Sequence, residues 1–533
     1  MPLRRALFRR ISRTLTITGT MQGDRKHVLS HTAVYAVARG LPGVMAFLAI
    51  PLFTRLLDPA DYGRYALAAA TVNLLNGLLF QWLRLSLVRY LPAYREDAAR
   101  LKSTLMTSAV ALILVLAALA AVVSLFPVGS QWRTVVLWCW AMLAAQAVFD
   151  LCCEYSRAAL MPWQVMGLQL VRSTATVGLG ALLVVWGAGW WGPIAATTAA
   201  MTVAAAYACR RDWRDVRPII DREALAKVSR YGMPLALTVA LAAVIYSSDR
   251  YLIAYFLGGD AAGLYSVAVD FATQTLMLLM MVIHLAIFPI AVRAWENEGQ
   301  AAVREQMRLN ASLLLAVGVP CVVGLAVLAP GIAHTFLGAS FRSAAVGIIP
   351  AVAFGGFLAS FKAYHFDAPF QFAHRTGEQV WIVLAAAVVN IALNLVAIPA
   401  YGIAGAAAAS VLAYVVSISL TVLVGRRHFA VPFPAKPCAQ VLSAAAAMAL
   451  LLYPLRDYRT PAAVASQVLL GASVYTAILL ASDFLDLRAH AWRRLRRVLP
   501  LPRASRDPTG APSAAVARAG LAGAAAGPFS EKC

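Results

Sequence analysis

Two strings decide how the chain is read: LDPADYGRYALA (57–68) and LGGDAAGLYSVA (257–268). They align at a constant offset of 200, matching Leu57 with Leu257, Gly63 with Gly263, Tyr65 with Tyr265 and Ala68 with Ala268. Each string lies between two long apolar runs and crosses the same face in the same sense. The repeat is therefore parallel rather than inverted. A second echo pairs GWWGPIAATTAA (189–200) with AYGIAGAAAASV (400–411), both tight turns entering a helix of small residues.

Around these strings the chain is 61% hydrophobic and 13% charged over 533 residues. Soluble proteins carry about 25% charged residues. A soluble enzyme, a disordered chain and a fibrous protein are excluded. The apolar residues fall into fourteen runs long enough to cross a membrane as helices, about 20 residues each. They are 31–54, 62–83, 103–127, 134–156, 163–187, 190–209, 231–257, 262–292, 310–330, 344–361, 379–399, 402–424, 438–455 and 461–482. The fold class is all-α: a polytopic membrane protein of about fourteen spans. The pattern divides it into a basic N-terminal segment (1–30), a first half (31–209), a linker (210–230), a second half (231–424), two extra helices (425–482) and a basic tail (483–533). The N-terminal segment reads either as a short amphipathic helix on an anionic leaflet or as a disordered basic leader.

The formal net charge of +22 would suggest nucleic acid on a soluble chain. Sorted by segment, it is an orientation signal instead. With the N-terminus inside, 37 of the 46 basic residues fall on the cytoplasmic side and 6 outside. The positive-inside rule then puts both termini in the cytoplasm. The seven cysteines form no CxxC pair and indicate neither a disulfide framework nor a metal site. No GxxxxGK[ST] string marks a nucleotide site.

Three arginines remain inside predicted spans: Arg39, Arg172 and Arg250. An ionisable residue in a span is costly and is by default a functional candidate with a partner to be named. Arg39, Arg172, Asp150 and Glu154 are expected to share the inner part of the first half. Arginines there can clamp a diphosphate bidentately, with the acids competing for them; the same four can equally be an ion-pair network tying helices together. Asp249, Arg250 and Asp270 group in the second half, Arg250 pairing with either acid. They read as an outer cargo or ion-coupling site, or as a structural pair. Asn390 and Asn394, one turn apart, either line a cavity or bond between helices. His284 reads as an interfacial histidine. Asp58 and Asp61 read as turn residues beside Pro59 and Gly63.

The strings PLFTRLLDPADYGRYALAAATVNLL (51–75), VRYLP (88–92), YGMPLALTVALAAVIYSSDRYLIAYFLGGDAAGLYSVA (231–268) and VVNIALNLVAIPAYGIAGAAAASVLAYVV (388–416) carry a family resemblance. They resemble the bacterial polysaccharide repeat-unit flippases, within the multidrug/oligosaccharidyl-lipid/polysaccharide exporter superfamily. The resemblance covers most of residues 30–480. It implies two six-helix lobes around a central cavity, often with two extra C-terminal helices. It implies transport of an undecaprenyl-diphosphate-linked oligosaccharide to the periplasmic leaflet by alternating access, for surface polysaccharide or lipopolysaccharide synthesis. The substrate residues would be Arg39, Arg172 and Arg250; the coupling or gating residues Asp150, Glu154, Asp249 and Asp270. No cofactor or catalytic residue is expected, with H+ or Na+ as candidate coupling ions. Expected partners are the lipid-linked oligosaccharide, membrane lipids, and the polymerase and glycosyltransferases of the same pathway, but no nucleic acid. The location is the inner membrane. A lipid II flippase and a drug/cation antiporter of the same superfamily are the alternatives, the antiporter disfavoured by three interior arginines. A membrane glycosyltransferase or polymerase is a remote third, since every outer loop is short.

Overall fold

The computed structural model describes residues 43–94, 97–126, 130–373 and 375–486. The described residues from Gly43 to Ser482 form one compact unit. Among the described residues ten helices are long and apolar enough to cross a membrane, and a bent pair makes an eleventh. This is an all-α polytopic membrane protein. The helices are α1 (Gly43–Leu56), α2 (Pro59–Leu79), α3 (Gln81–Tyr90), α4 (Ala98–Leu125), α5 (Ser130–Ala158), α6 (Pro162–Leu183) and α7 (Trp191–Asp212). They continue as α8 (Arg222–Leu257), α9 (Gly259–Asn297), α10 (Gln300–Val327), α11 (Ala329–Phe336), α12 (Arg342–Phe361) and α13 (Ala368–Phe372). The last three are α14 (Thr376–Gly425), α15 (Ala435–Leu452) and α16 (Pro461–Ala481). Each sequence-predicted span falls on these helices, the first of them described only from Gly43.

Local chemistry starts the helices where the repeat strings lie. Asp58 caps α2, its carboxylate accepting from the Asp61 N–H at 2.7 Å, and Pro59 occupies the first turn. The repeat itself is a contact. A Cβ on Gly63 would strike the Gly259 carbonyl and lie 3.0 Å from the Gly263 nitrogen. A Cβ on Gly263 would strike the Pro59 carbonyl and lie 2.9 Å from the Gly63 nitrogen. The first turns of α2 and α9 thus cross backbone to backbone, and the offset of 200 relates both sides of the contact. Only glycine admits so close an approach. Beside it, the Arg55 guanidinium donates to the Thr335 carbonyl at 2.7 Å, and the Gly338 N–H donates to the Thr54 hydroxyl at 3.2 Å.

The second echo is also real, in a shifted register. Gly189 has φ 56° and ψ −140°; Gly402 has φ 62° and ψ −145°. The backbone matches these two glycines, whereas the strings as aligned pair Gly189 with Ala400. A glycine-only conformation breaks the chain between α6 and α7 and again within α14, separating the two spans predicted there.

The linker after α7 is not a free tether. Lys102 donates to the Asp212 carbonyl at 2.8 Å and to the Asp215 carboxylate at 2.5 Å. The Arg217 N–H donates to the Ser103 hydroxyl and the Asp221 N–H to that of Thr104, at 3.0 and 3.2 Å. Asp221 then caps α8. Around this frame, fully buried Leu83, Leu87, Leu101, Leu105, Phe149 and Met201 form the core of the first half. Leu114, Val115, Leu119, Val185, Val203 and Leu469 stay exposed on helix faces, as lipid contact requires.

Candidate functional site

Asp249 lies on α8 and is 4% exposed. Its carboxylate accepts from the Tyr265 hydroxyl of α9 at 2.8 Å, from the Asn394 amide at 2.7 Å and from the Ser410 hydroxyl. The α14 break at Gly402 folds Asn394 and Ser410 back toward the same carboxylate. A second layer supports the first: the Ser248 hydroxyl donates to Asn390 at 2.9 Å, and the Asn390 amide to Ser410 at 3.4 Å. Among the described residues no cationic side chain lies within 4 Å of Asp249. Its charge is met by neutral donors alone, each hydrogen bond to a charged group being worth about 1.5–3 kcal/mol. The Asn394 carbonyl oxygen is buried and accepts no hydrogen bond among the described residues. A cavity of about 280 Å³ opens beside the carboxylate. It is lined by Tyr265, Thr273, Ser360, Tyr364, Ser410 and Tyr414 among others.

The next residue along takes the opposite arrangement. The Arg250 guanidinium, 7% exposed, pairs with Asp270 of α9. Of the two pairings open to Arg250 from sequence, the structure has the one with Asp270, and Asp249 stands apart. Arg172 of α6 is half-buried, its guanidinium 5.7 Å from the centroid of the Phe149 ring. Among the described residues no carboxylate lies within 4 Å of it. The two halves meet where α2 crosses α9, Gly63 against Gly263.

Of the inner cluster expected around Arg39, Arg172, Asp150 and Glu154, the structure describes the last three, and the two acids take partners other than those arginines. Arg39 lies outside the described residues. Asp150 pairs with Arg84 at 2.5 Å and accepts from the Asn76 amide at 2.9 Å. Arg84 is assigned to a loop by sequence because the apolar run ends at Leu83. The helix instead bends at Phe80 and continues as α3, carrying Arg84 inward. Glu154 pairs with Arg157, one turn along its own helix, at 2.6 Å. His284 stacks between Phe288 and Tyr364, with ring centroids at 4.8 and 4.7 Å.

Tyr265 and Ser410 are the site residues that sequence reasoning passed over. Tyr265 stands in the repeat string matched to Tyr65, and Ser410 is the one hydroxyl in AGAAAASV. Both signals were present, but neither residue is charged.

A fold of this kind, with buried charges gathered between helices and apolar outer surfaces, is that of a multi-pass membrane protein. The chain belongs to the polysaccharide biosynthesis protein family, whose model matches residues 28–295. The model of the lipid II flippase MurJ family matches residues 176–477. The chain is thus a flippase of the multidrug/oligosaccharidyl-lipid/polysaccharide superfamily. Among solved structures, it is similar to the lipid II flippase MurJ in an inward closed conformation, with a TM-score of 0.69 at 13% identity. That likeness covers 85% of this chain and 99% of the other. An inward-facing multidrug resistance MATE transporter is similar at TM-score 0.52 and 18% identity, over 74% of this chain and 93% of that one. At these identities the likeness is one of fold. No curated protein sequence matches the chain.

Proposed function

We propose that the chain carries a polyprenyl-diphosphate-linked oligosaccharide repeat unit from the cytoplasmic to the periplasmic leaflet of the inner membrane. The repeat turns at 57–59 and 257–259 would face the periplasm, and the linker and both termini the cytoplasm, as the basic residues favour. Two six-helix lobes, 31–209 and 231–424, would rock about the α2–α9 contact. The observation that carries the reading is Arg172, a half-buried cation in a membrane span that lies over the Phe149 ring, with no carboxylate within 4 Å among the described residues. A site built for an anion leaves such a charge for its cargo to satisfy. Arg250, shared with Asp270, would be the second contact. The polyprenyl tail stays in lipid, so only the head group needs this polar passage.

Asp249 is the coupling carboxylate in this reading. It is bonded by two hydroxyls and the Asn394 amide N–H, and the Asn394 carbonyl oxygen beside it is unused. Such a set suits a sodium ion or a proton rather than a soft metal. A head group with two negative charges moving outward also runs down a positive-outside potential, worth about 2.3 kcal/mol per charge per 100 mV.

A second reading, transport of lipid II, is favoured by the MurJ family match over residues 176–477. One experiment separates the two. Deleting the gene should leave lipid-linked repeat units on the cytoplasmic leaflet while cell-wall synthesis continues. Arrest of wall synthesis with normal surface polysaccharide would point to lipid II instead.

A further inference from the structure

The second span is broken without a proline. Helices α2 and α3 meet at Phe80 at an angle of 47°. Sharp kinks in helices ordinarily trace to proline, to Gly/Ser pairs, to π-bulges or to an intruding side chain. Here side chains hold the bend. The Trp82 indole N–H donates to the Leu79 carbonyl at 2.8 Å, meeting an acceptor that the break exposes. More tellingly, a single oxygen, Oδ2 of Asp150, accepts from Asn76 on one side of the break and from Arg84 on the other. Arg84 also donates to Gln81. One carboxylate on α5 staples both halves of the bent helix.

The bend directs α3 onto the start of α8. The Ser86 hydroxyl donates to the Val228 carbonyl at 2.9 Å. A Cβ on Gly232 would lie 2.5 Å from the Trp82 carbonyl and 2.6 Å from the Ser86 oxygen, so the two backbones touch. Tyr90 meets Tyr231 edge to face at 5.8 Å, and the Lys227 ammonium lies 5.4 Å from the centroid of the Tyr90 ring. This seam joins the first half to the second at the linker end of the molecule. The staple behind it is under-satisfied. The Arg84 Nε and the Asn76 carbonyl oxygen are buried without a hydrogen-bond partner among the described residues. Buried unpaired polar groups are costly, and a network left in that state is suited to rearrangement.

We propose that Asp150 and Arg84 form the latch of the linker-end gate. Asp150 is a positioning residue: by holding Arg84 it keeps α3 bent against α8. An anionic head group that draws the Arg84 guanidinium away frees the break and lets α3 leave α8. The second step rests on the anionic-cargo reading above; the first does not. Asp150 thus acts through Arg84 and not on cargo.

The test uses the full chain in liposomes, with cysteines at Tyr90 and Tyr231 and the native cysteines replaced by serine. Oxidative cross-linking reads the seam. The parent should cross-link readily. Asp150→Asn should lower the yield about tenfold, because it breaks a largely buried pair. The charge exchange Arg84→Asp with Asp150→Arg should restore it, which a folding defect would not do. Farnesyl diphosphate, a short isoprenyl diphosphate, should lower the parent's yield and leave Arg84→Gln unmoved. An unchanged yield in Asp150→Asn overturns the latch whatever the cargo. A latch that responds to Asp150→Asn but ignores farnesyl diphosphate overturns the anion trigger and leaves the latch standing.

Discussion

The two halves of the molecule share a backbone plan and differ in how each settles its buried carboxylate. Gly63 and Gly263 cross at one contact, and Gly189 and Gly402 adopt the same rare conformation. Yet Asp150 in the first half is neutralised by Arg84, whereas Asp249 in the second is held by a tyrosine, an asparagine and a serine. An ion pair satisfies its carboxylate with a fixed partner and ties two helices together. A cage of neutral donors leaves the negative charge uncancelled, and so able to attract a cation. The repeat supplies the frame twice, and the two buried carboxylates are settled differently within it, by a fixed cation in one half and by neutral donors in the other.

That contrast can be broken by substitution. The largest effect should come from the shared frame. Gly63→Ala forces a Cβ onto the Gly259 carbonyl and should destabilise the fold by about 3 kcal/mol. Gly77→Ala on the same helix meets nothing within 4 Å and should be neutral or mildly stabilising, by up to about 1 kcal/mol. Thermal unfolding of the two variants in detergent checks this.

Removing the fixed partner comes next. Arg84→Gln leaves Asp150 without its counter-charge and should cost about 3 kcal/mol in the same unfolding measurement. Asp249→Asn loses no ion pair but weakens the bonds from Tyr265, Asn394 and Ser410, and should cost about 2 kcal/mol, less than Arg84→Gln. It should nonetheless abolish surface polysaccharide while still inserting in the membrane. If Asp249→Asn is as destabilised as Arg84→Gln and transports normally, the contrast fails.

Smaller effects sharpen the same point. Tyr265→Phe removes one donor to Asp249 and should cost about 1.5–3 kcal/mol. Tyr65→Phe, its repeat partner, should cost less than about 0.5 kcal/mol, because no comparable bond is lost. The least effect lies outside the membrane. The Asp221 carboxyl is held below its ordinary value of 3.8 by the Ala224 N–H it caps and by Arg100. A lowered carboxyl stabilises the fold above its ordinary value and stops doing so as pH falls through the lowered one. The small difference in melting temperature between Asp221→Asn and the parent should therefore be present at pH 7 and vanish below that range.

Much of the frame was legible in sequence because it depends on patterns that survive without tertiary knowledge. Apolar runs gave the spans, and the matched strings gave a contact at the correct offset. The second echo was found two residues out of register, since alanine-rich strings align equally well in several registers and only backbone conformation distinguishes Gly402. The site was less legible. Asp249, Arg250 and Asp270 stood out as charges in apolar runs, and the pairing of Arg250 with Asp270 was one of two options. Arg84 was read as a loop residue because hydropathy ends where Gln81 and Arg84 begin, and a bend held by side chains leaves no proline to mark it. Tyr265 and Ser410 escaped because neutral hydroxyls in a span are common and only their convergence on Asp249 distinguishes them.

The proposed role of Arg172 is to receive an anionic, lipid-linked cargo within the span. It is tested most directly by assaying the leaflet distribution of lipid-linked repeat units in cells carrying Arg172→Ala as the only copy. The variant should insert normally, and the units should accumulate on the cytoplasmic leaflet, with surface polysaccharide lost. A normal distribution with full polysaccharide would contradict it.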